Sequence, residues 1–527
     1  MKTVELIAKT FQGLEEVLAK ELIELGADDI QIGRRMVSFT GDKRMMYRAN
    51  FHLRTAIRIL KPILHFNAKD ADEIYDIVKN RVKWEDYMTV NTSFAVDSVV
   101  YSDEFRHSKF VAYRVKDAIA DYFREKEGKR PSVQVANPDI TLHIHIAQER
   151  CTLSLDSSGE SLHRRGYRQE AVEAPLNEVL AAGMILQTGW TGECDFIDPM
   201  CGSGTLPIEA ALIARNIAPG VFRKEFAFEK WADFDQELFD DIYNDDSAER
   251  EFAHHIYGYD IDWKAVNIAT NNVRAAGLSK DITIERRDMA NFVEPIERAI
   301  MVTNPPYGER ITTDDLLGLY RTVGERLKHA FKGNDAWVLS YHKECFDKIG
   351  LKASVIIPLF NGALPCEYRK YELFDGKFKE FRENGEELDK SERPMGERRP
   401  LSVRQEKGGA LPLSPSRRRR DFKSHKECGF GGEHRRFNGD NRCLGEDRPI
   451  SKREMAERND RERYEEDTNY STLYERHHEF AKMQAARERK AARLKGGKPS
   501  NDKRNQRTQR FSKPSAGKSW GRKKREE

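Results

Sequence analysis

The sequence predicts an α/β protein: a doubly wound, largely parallel sheet in its second half, a smaller α+β region ahead of it, and a charged, disordered tail behind. Three observations carry that expectation. From Pro175 onward, apolar strands alternate with long helical stretches, the pattern of repeated βα units with helices on both sheet faces. Before Pro175, short period-two strands mix with amphipathic helices. After about Phe378, periodicity gives way to Arg, Glu, Lys, Gly and Pro. At 527 residues, the chain is too long for one ordinary core.

Taken in order, residues 2–9 read as a strand and 13–25 as an amphipathic helix stopped by Gly26. QIGRRMVSFT (31–40) alternates, 71–79 returns to helix, and TSFAVDSVVYS (92–102) is strand-like. Residues 108–125 carry apolar positions at helical spacing. ITLHIHIA (140–147) alternates with period two and finds a hairpin partner in CTLSLDSSG (151–159). In the second half, helices are expected over 178–190, 205–218, 265–277 and 316–331. Strands are expected at the start of CDFIDPM (194–200), in HIYGYD (255–260), in ITIERRD and AIMVTNPP, and in AWVLSYH (336–342). Divisions are placed at 1–55, 56–158, 159–376 and 377–527.

The formal net charge of +3 hides an asymmetry. From Gly376 onward there are 42 Lys and Arg against 27 Asp and Glu, net +15; before it, 48 against 60, net −12. A tail so charged cannot bury enough surface to offset its ordering entropy, although 474–495 has the makings of one charged helix. An acidic body with a basic tail points to a nucleic-acid partner reached through local patches. No apolar run approaches the roughly 20 residues a membrane span needs. The N-terminus mixes in acidic residues at once, unlike a signal peptide. Seven cysteines without a C-x-x-C suit a reduced, cytoplasmic protein. No metal is expected, since Cys428, His434 and Cys443 have irregular spacing for zinc.

Chemistry concentrates in four places. IDPMCGSGTLPIEAALIA puts Asp198 at a strand end, then a Gly202-Ser203-Gly204 turn, then a helix. Glycines there let the backbone turn tightly and approach a ligand. The loop is neither G-x-G-x-x-G nor a phosphate-binding P-loop, so a cofactor without a pyrophosphate suits it better. A ligand-free βα turn is the competing account. Asp260, ending the next strand, can hold both hydroxyls of a ribose, with Asp262 as helix cap. Asp288 can accept from an adenine amino group or simply close a turn. TNPPYGER (303–310) ends a buried strand in an amide, two rigid links and an aromatic ring.

The order D-P-x-C-G-S-G-T, Y-D-x-D, R-D, N-P-P-Y resembles S-adenosylmethionine-dependent methyltransferases that act on exocyclic amino groups. More closely, residues 1–375 resemble bacterial 23S ribosomal RNA guanine-N2 methyltransferases with an N-terminal THUMP domain. NPPYGER and DPMCGSGTLPIEAALIA are the most specific parts of the likeness, joined by TFQGLEEVLAKEL and HSKFVAYRVKDAIADYF. The resemblance implies a Rossmann-like class I methyltransferase domain (159–376) behind a ferredoxin-like subdomain (1–55) and a THUMP RNA-binding domain (56–158). It implies S-adenosyl-L-methionine as cofactor, held by Asp198, Met200, Gly202, Gly204, Thr205, Asp260, Ile261 and Asp288. It assigns Asn304, Pro305, Pro306 and Tyr307 to catalysis, on RNA as the partner.

The residue types suit that chemistry. A guanine amine has its lone pair delocalised into the ring, so it must be held pyramidal and aligned rather than deprotonated by a strong base. Carbonyls of Asn304 and Pro305 can accept from it and relieve the developing charge, Pro306 stiffens the turn, and Tyr307 offers a stacking floor. Glu309 and Arg310 are surface positions or phosphate contacts. For RNA contact, Arg106, Lys109 and Arg114, with His107, sit at or near a predicted helix N-terminus. Arg164, Arg165 and Arg168, with Tyr167, lie in the bridge between the halves. The basic runs 417–420 and 521–527 are further RNA candidates. Alternatives are a tRNA guanine, or an amino group on DNA or protein, as acceptor.

Overall fold

The computed structural model describes residues 3–105, 107–308 and 313–374, all within one compact unit, Met1–Pro400. The expectations for Arg106, Glu309, Arg310 and everything from 377 on, including the tail's disorder, basic runs, helix and cysteines, lie outside those residues.

The alternating segments of the first half build one eight-stranded sheet. In chain order its elements are β1 (Val4–Lys9), α1 (Glu15–Leu25), β2 (Asp28–Gly33), β3 (Met36–Gly41), α2 (Lys43–His52), β4 (Arg58–Asn67) and α3 (Ala71–Arg81). Then come β5 (Ser93–Tyr101), α4 (Ser108–Glu127), β6 (Ser132–Val133), β7 (Ile140–Ala147) and β8 (Arg150–Asp156). The strand order is β2-β3-β1-β4-β8-β7-β5-β6. Sequence reading passed over α2 and β4. Asp42 caps α2 through Met45 N at 2.9 Å. Strand β4 joins β1 on one edge to β8 on the other, with its register shifting between Pro62 and Leu64, where proline offers no ladder donor. The β7–β8 hairpin forms as its alternation predicts, and Gly26 caps α1 in the left-handed conformation (φ 83°).

The second half contributes α5 (Glu178–Gln187), β9 (Asp195–Asp198), α6 (Thr205–Ala214), α7 (Gln236–Tyr243), β10 (Ile256–Asp260), α8 (Trp263–Ala275) and β11 (Ile282–Arg286). It continues with β12 (Ala299–Thr303), α9 (Thr313–Ala330), β13 (Asp335–Ser340), α10 (Lys343–Ile349), β14 (Val355–Asn361) and β15 (Leu364–Glu372). The order β11-β10-β9-β12-β13-β15-β14 is doubly wound about the β9–β12 junction. Five strands are parallel; β14 and β15 form an antiparallel hairpin on the β13 edge. Their polar-apolar alternation, IIPLFNGALPCEYRKYE, escaped the βα rhythm read from the sequence. Among the described residues no helix is long and apolar enough to cross a membrane.

Packing ignores the order of the chain in two places. After α6, residues 219–250 turn back to the first half, where Phe228, Phe234 and Phe239 surround Tyr47 of α2; Tyr47 stacks on Phe228 with centroids 4.3 Å apart. In the other direction, Leu14, just ahead of α1, is fully buried in the second core, and Gln187 Nε2 donates to Gly13 O at 2.9 Å. Room for Leu14 comes from Gly183 of α5, where an added Cβ would stand 2.5 Å from Leu14 Cδ2. Gly183→Ala should therefore destabilise the protein by about 1–3 kcal/mol through overpacking, despite alanine's better helix propensity. The midpoint of denaturant unfolding measures it, and an unchanged or raised midpoint contradicts the tight fit.

Candidate active site

The carboxyl ends of the parallel strands share one edge of the second sheet, where open α/β sheets bind ligands. Strand β9 is buried throughout and ends in Asp198, whose Oδ1 accepts from Met200 N at 3.2 Å and Thr303 Oγ1 at 2.9 Å. Thr303 is the last residue of β12, so one carboxylate ties the glycine turn to the strand that leads into Asn304. Burial pushes Asp198 up to about 7, against the pull of those two donors.

The turn reaches α6 through Gly202 (φ 55°) and Gly204 (φ 82°), a left-handed pair that glycine tolerates without a Cβ penalty. A Cβ on Gly204 would press on Ala269 of α8 at 3.2 Å. Beside Gly202 the nearest neighbour is Val172 at 3.6 Å, which leaves room for a ligand to lie against the backbone. Asp260 is anchored to this loop: Gly202 N donates to Oδ2 at 3.0 Å and Asp262 N to Oδ1 at 2.9 Å. Burial raises its carboxyl, and Asp262 carries the capping role expected of it, through Lys264 N at 2.9 Å. Ile261 stands 59% exposed beside Asp260. Asp288 accepts from Ala290 N at 2.9 Å and caps a short turn after β11. Met200 is half-buried and Thr205 buried.

The bridge between the halves is built inward. Arg165 is 2% exposed and Glu209 fully buried, so the expected RNA contact of Arg165 is corrected. Its guanidinium lies 3.4 Å from Glu209 and donates to Leu162 O and Arg54 O, while Tyr167 Oη donates to Glu209 Oε1 at 2.9 Å. Burial works against the charge on Arg165, and Glu209 with Tyr167 outweighs it, holding the guanidinium above its usual range. Arg168 is corrected in the same way. It donates to Glu178 Oε1, Ser203 Oγ, Leu176 O and Thr205 Oγ1 at 2.8–3.1 Å, tying the start of α5 to the glycine turn. Asn272 adds a second pin: its Oδ1 accepts from Gln169 N and its Nδ2 donates to Glu170 O and Ser203 O. Of the three bridge arginines, Arg164 is the exposed one, paired with Glu160 at 2.9 Å, while Arg168 is half-buried.

In the first half, Lys109 is exposed in the first turn of α4. Arg114 instead pairs with Asp72 at 2.6 Å and lies over the Tyr75 ring, so it braces α3 against α4.

After β12, Pro305 is buried, Pro306 exposed, and Asn304 and Tyr307 half-buried. Tyr307 is tied down through its hydroxyl. Its hydroxyl donates to Asn304 Oδ1 at 2.5 Å and accepts from Asn361 Nδ2 at 3.2 Å, with its edge against Tyr341. Burial, with Cys366 alongside, raises that hydroxyl well above the usual phenol range. At the opposite end of the sheet Asp195, His254 and Glu297 hold ligand-type atoms within 4.8 Å of one another; their spacing also suits a plain carboxylate–imidazole cluster.

Thr303, Glu178, Glu209, Asn272, Tyr341 and Asn361 were missed from the sequence. Glu209 alone had a local signal: a single acid in the otherwise apolar TLPIEAALIA is a buried charge awaiting a partner.

Known proteins match this arrangement along the whole described region. Residues 165–370 match an RMKL-like methyltransferase domain, 68–156 a THUMP domain and 5–60 an RlmL ferredoxin-like domain. Ribosomal RNA large subunit methyltransferase K/L of Syntrophotalea carbinolica is 40% identical over 71% of this chain, which spans 54% of that relative's length. Synechocystis slr0064, provisionally named an RNA methyltransferase, is 38% identical, with 70% of this chain and 96% of that protein covered. The crystal structure of SMU.472, complexed with SAH, superposes with a TM-score of 0.64 at 30% identity, covering 72% of this chain and 100% of that one. The chain therefore belongs to the RMKL-like methyltransferase family, with THUMP and RlmL ferredoxin-like domains ahead of the methyltransferase domain.

Proposed function

We propose that the protein is an S-adenosylmethionine-dependent RNA methyltransferase that methylates the exocyclic N2 amine of a guanosine in 23S ribosomal RNA, in the cytoplasm. The observation that carries this reading is the 2.9 Å hydrogen bond from Thr303 to Asp198, which sets the glycine turn beside the Asn-Pro-Pro-Tyr turn. The names of the K/L relatives favour the large ribosomal subunit as substrate. We divide the chain into a ferredoxin-like part (1–55), a THUMP part (56–158) and a methyltransferase part (159–376).

Bound S-adenosylmethionine supplies an electrophilic methyl group on sulfur. The backbone at Gly202 and Gly204 gives it room, with Met200 and Thr205 on the same turn. Asp260 accepts from the ribose hydroxyls, Ile261 offers an apolar face to the adenine, Asp288 accepts from its amino group, and Asp198 faces its cationic end. Asn304 Oδ1 and Pro305 O accept from the target amine and hold its lone pair toward the methyl group. Pro305 and Pro306 keep those acceptors in place with little freedom to lose. Lys109 and Arg164, with Arg106, meet RNA phosphates.

The test uses RNA from a strain lacking this gene, incubated with the protein and labelled S-adenosylmethionine, then separated by size, digested and resolved into nucleosides. Label as N2-methylguanosine in 23S RNA is the expected result. Label confined to tRNA would move the substrate. No label in any RNA, with cofactor bound, would overturn the reading and point to DNA or protein acceptors.

A pH dependence follows from Asp198. Free, its carboxyl is neutral below about 7, whereas a cationic cofactor favours the ionised form. Binding below that pH must release a proton, so cofactor affinity should fall about tenfold per unit as pH drops below about 7 and level off above it. Calorimetry over pH 5.5–8.5 reads this, and Asp198→Asn should flatten the profile. In the unliganded protein the same raised pKa lowers stability as pH climbs from about 3.9, the unfolded carboxyl's value, toward 7.

A further inference from the structure

We propose that Asn361 is a positioning residue for methyl transfer, acting on Asn304 through the Tyr307 hydroxyl. The proposal rests on the reading of Asn304 as the amine acceptor. Three side chains form a directed chain: Asn361 Nδ2 to Tyr307 Oη at 3.2 Å, then Tyr307 Oη to Asn304 Oδ1 at 2.5 Å. An amide nitrogen only donates, so the hydroxyl accepts from Asn361, and its single proton goes to the Asn304 oxygen at 2.5 Å, a stronger acceptor than the Cys366 sulfur alongside. That proton in turn selects the carboxamide's orientation, with Oδ1 toward Tyr307 and one lone pair of Oδ1 left for a substrate amine.

Without the donor at 361 the hydroxyl is free to turn, and it can then accept from Asn304 Nδ2 as readily as donate to Oδ1. The carboxamide can flip, and a flipped amide presents a donor to the target amine, which is itself a donor. Such a site still binds cofactor but cannot hold the amine's lone pair in line. The placement suits this role. Asn361 ends β14 at a hairpin turn closed by Gly362 (φ 61°), and that turn sits at the carboxyl end of β13 beside Tyr341. Tyr307 is held from three sides: Asn361 and Asn304 on its hydroxyl, and Tyr341 edge-on at 5.2 Å between centroids.

The experiment compares Asn361→Ala, Asn361→Asp, Tyr307→Phe and the Asn361→Ala/Tyr307→Phe double variant for kcat and KM on RNA and for S-adenosylhomocysteine affinity. Asn361→Ala should lower kcat about tenfold, the worth of one hydrogen bond, with S-adenosylhomocysteine affinity unchanged. The double variant should be no worse than Tyr307→Phe alone, since the groups act in series. Asn361→Asp should be worse than Asn361→Ala, because a carboxylate takes the hydroxyl proton and reverses the chain. Multiplicative losses in the double variant, an Asn361→Asp enzyme as active as Asn361→Ala, or a parallel loss of S-adenosylhomocysteine affinity would each overturn the proposal. Should the wild-type protein methylate no RNA, the functional reading fails, and the chain is judged by NMR of tyrosine labelled with 13C at Cζ. Asn361→Ala should then shift the Tyr307 signal and leave Tyr101 and Tyr257 unmoved; an unshifted Tyr307 overturns it.

Discussion

Glu209→Ala should cost about 3–5 kcal/mol of stability, among the largest single-site losses available in this chain. Glu209 is fully buried on α6 and Arg165 nearly so, and the Tyr167 hydroxyl donates to the same carboxylate. Removing the acid leaves a guanidinium and a phenol without their acceptor in a site water does not reach. Arg165 keeps its bonds to Leu162 O and Arg54 O, which sets the loss within that range rather than beyond it. Glu209→Gln retains an acceptor and should lose less. The double replacement Glu209→Leu with Arg165→Met should recover most of the stability, because an apolar pair of similar volume avoids burying charge at all. Denaturant unfolding midpoints decide the matter. If Glu209→Ala and the double variant unfold at the same midpoint, the buried pair is not what secures the bridge. The loss should extend to the cofactor turn, because α6 begins directly after Gly204.

Asn304→Ala should lower methyl transfer by about 10²–10³-fold while leaving S-adenosylhomocysteine affinity within about twofold of wild type. The magnitude is that of deleting one preorganised group at a centre where charge develops in the transition state. Cofactor affinity is spared because the glycine turn is anchored elsewhere, through Asp260, Arg168 and Asn272. Asn304→Asp tests charge against geometry: it keeps an acceptor but removes the amide's directionality, and should fall between wild type and alanine. Single-turnover rates with saturating RNA and cofactor measure the chemical step. An Asn304→Ala enzyme within threefold of wild type would remove Asn304 from the transfer step.

Local chemistry made much of the site readable. Asp198 at a strand end, the two glycines of the turn and Asp260 one βα unit later are spaced by backbone rules that operate over a few residues, so their convergence follows from the parallel order of β10, β9 and β12. The capping role of Asp262 and the left-handed stop at Gly26 were legible for the same reason. Arg165 and Arg168 were misread because a basic run looks identical whether it faces water or a buried acid. Their partners Glu209 and Glu178 lie 44 and 10 residues away, and only packing reveals which outlet each guanidinium takes.

The β14–β15 hairpin shows the other limit. Its alternation is a two-residue period that local reading can detect, but whether Asn361 caps a surface turn or reaches Tyr307 depends on which edge of the sheet the hairpin joins. Likewise, nothing local to 226–239 says that its phenylalanines complete a core begun by Tyr47. The sequence by itself determined the alternation of strands and helices, the glycine turn and the Asn-Pro-Pro-Tyr turn, because periodicity and φ preference act along the chain. Only the tertiary structure decided which arginines are buried, which hydroxyl holds Asn304 and which half each aromatic serves. Those outcomes turn on desolvation and hydrogen-bond partners that folding brings together from distant positions.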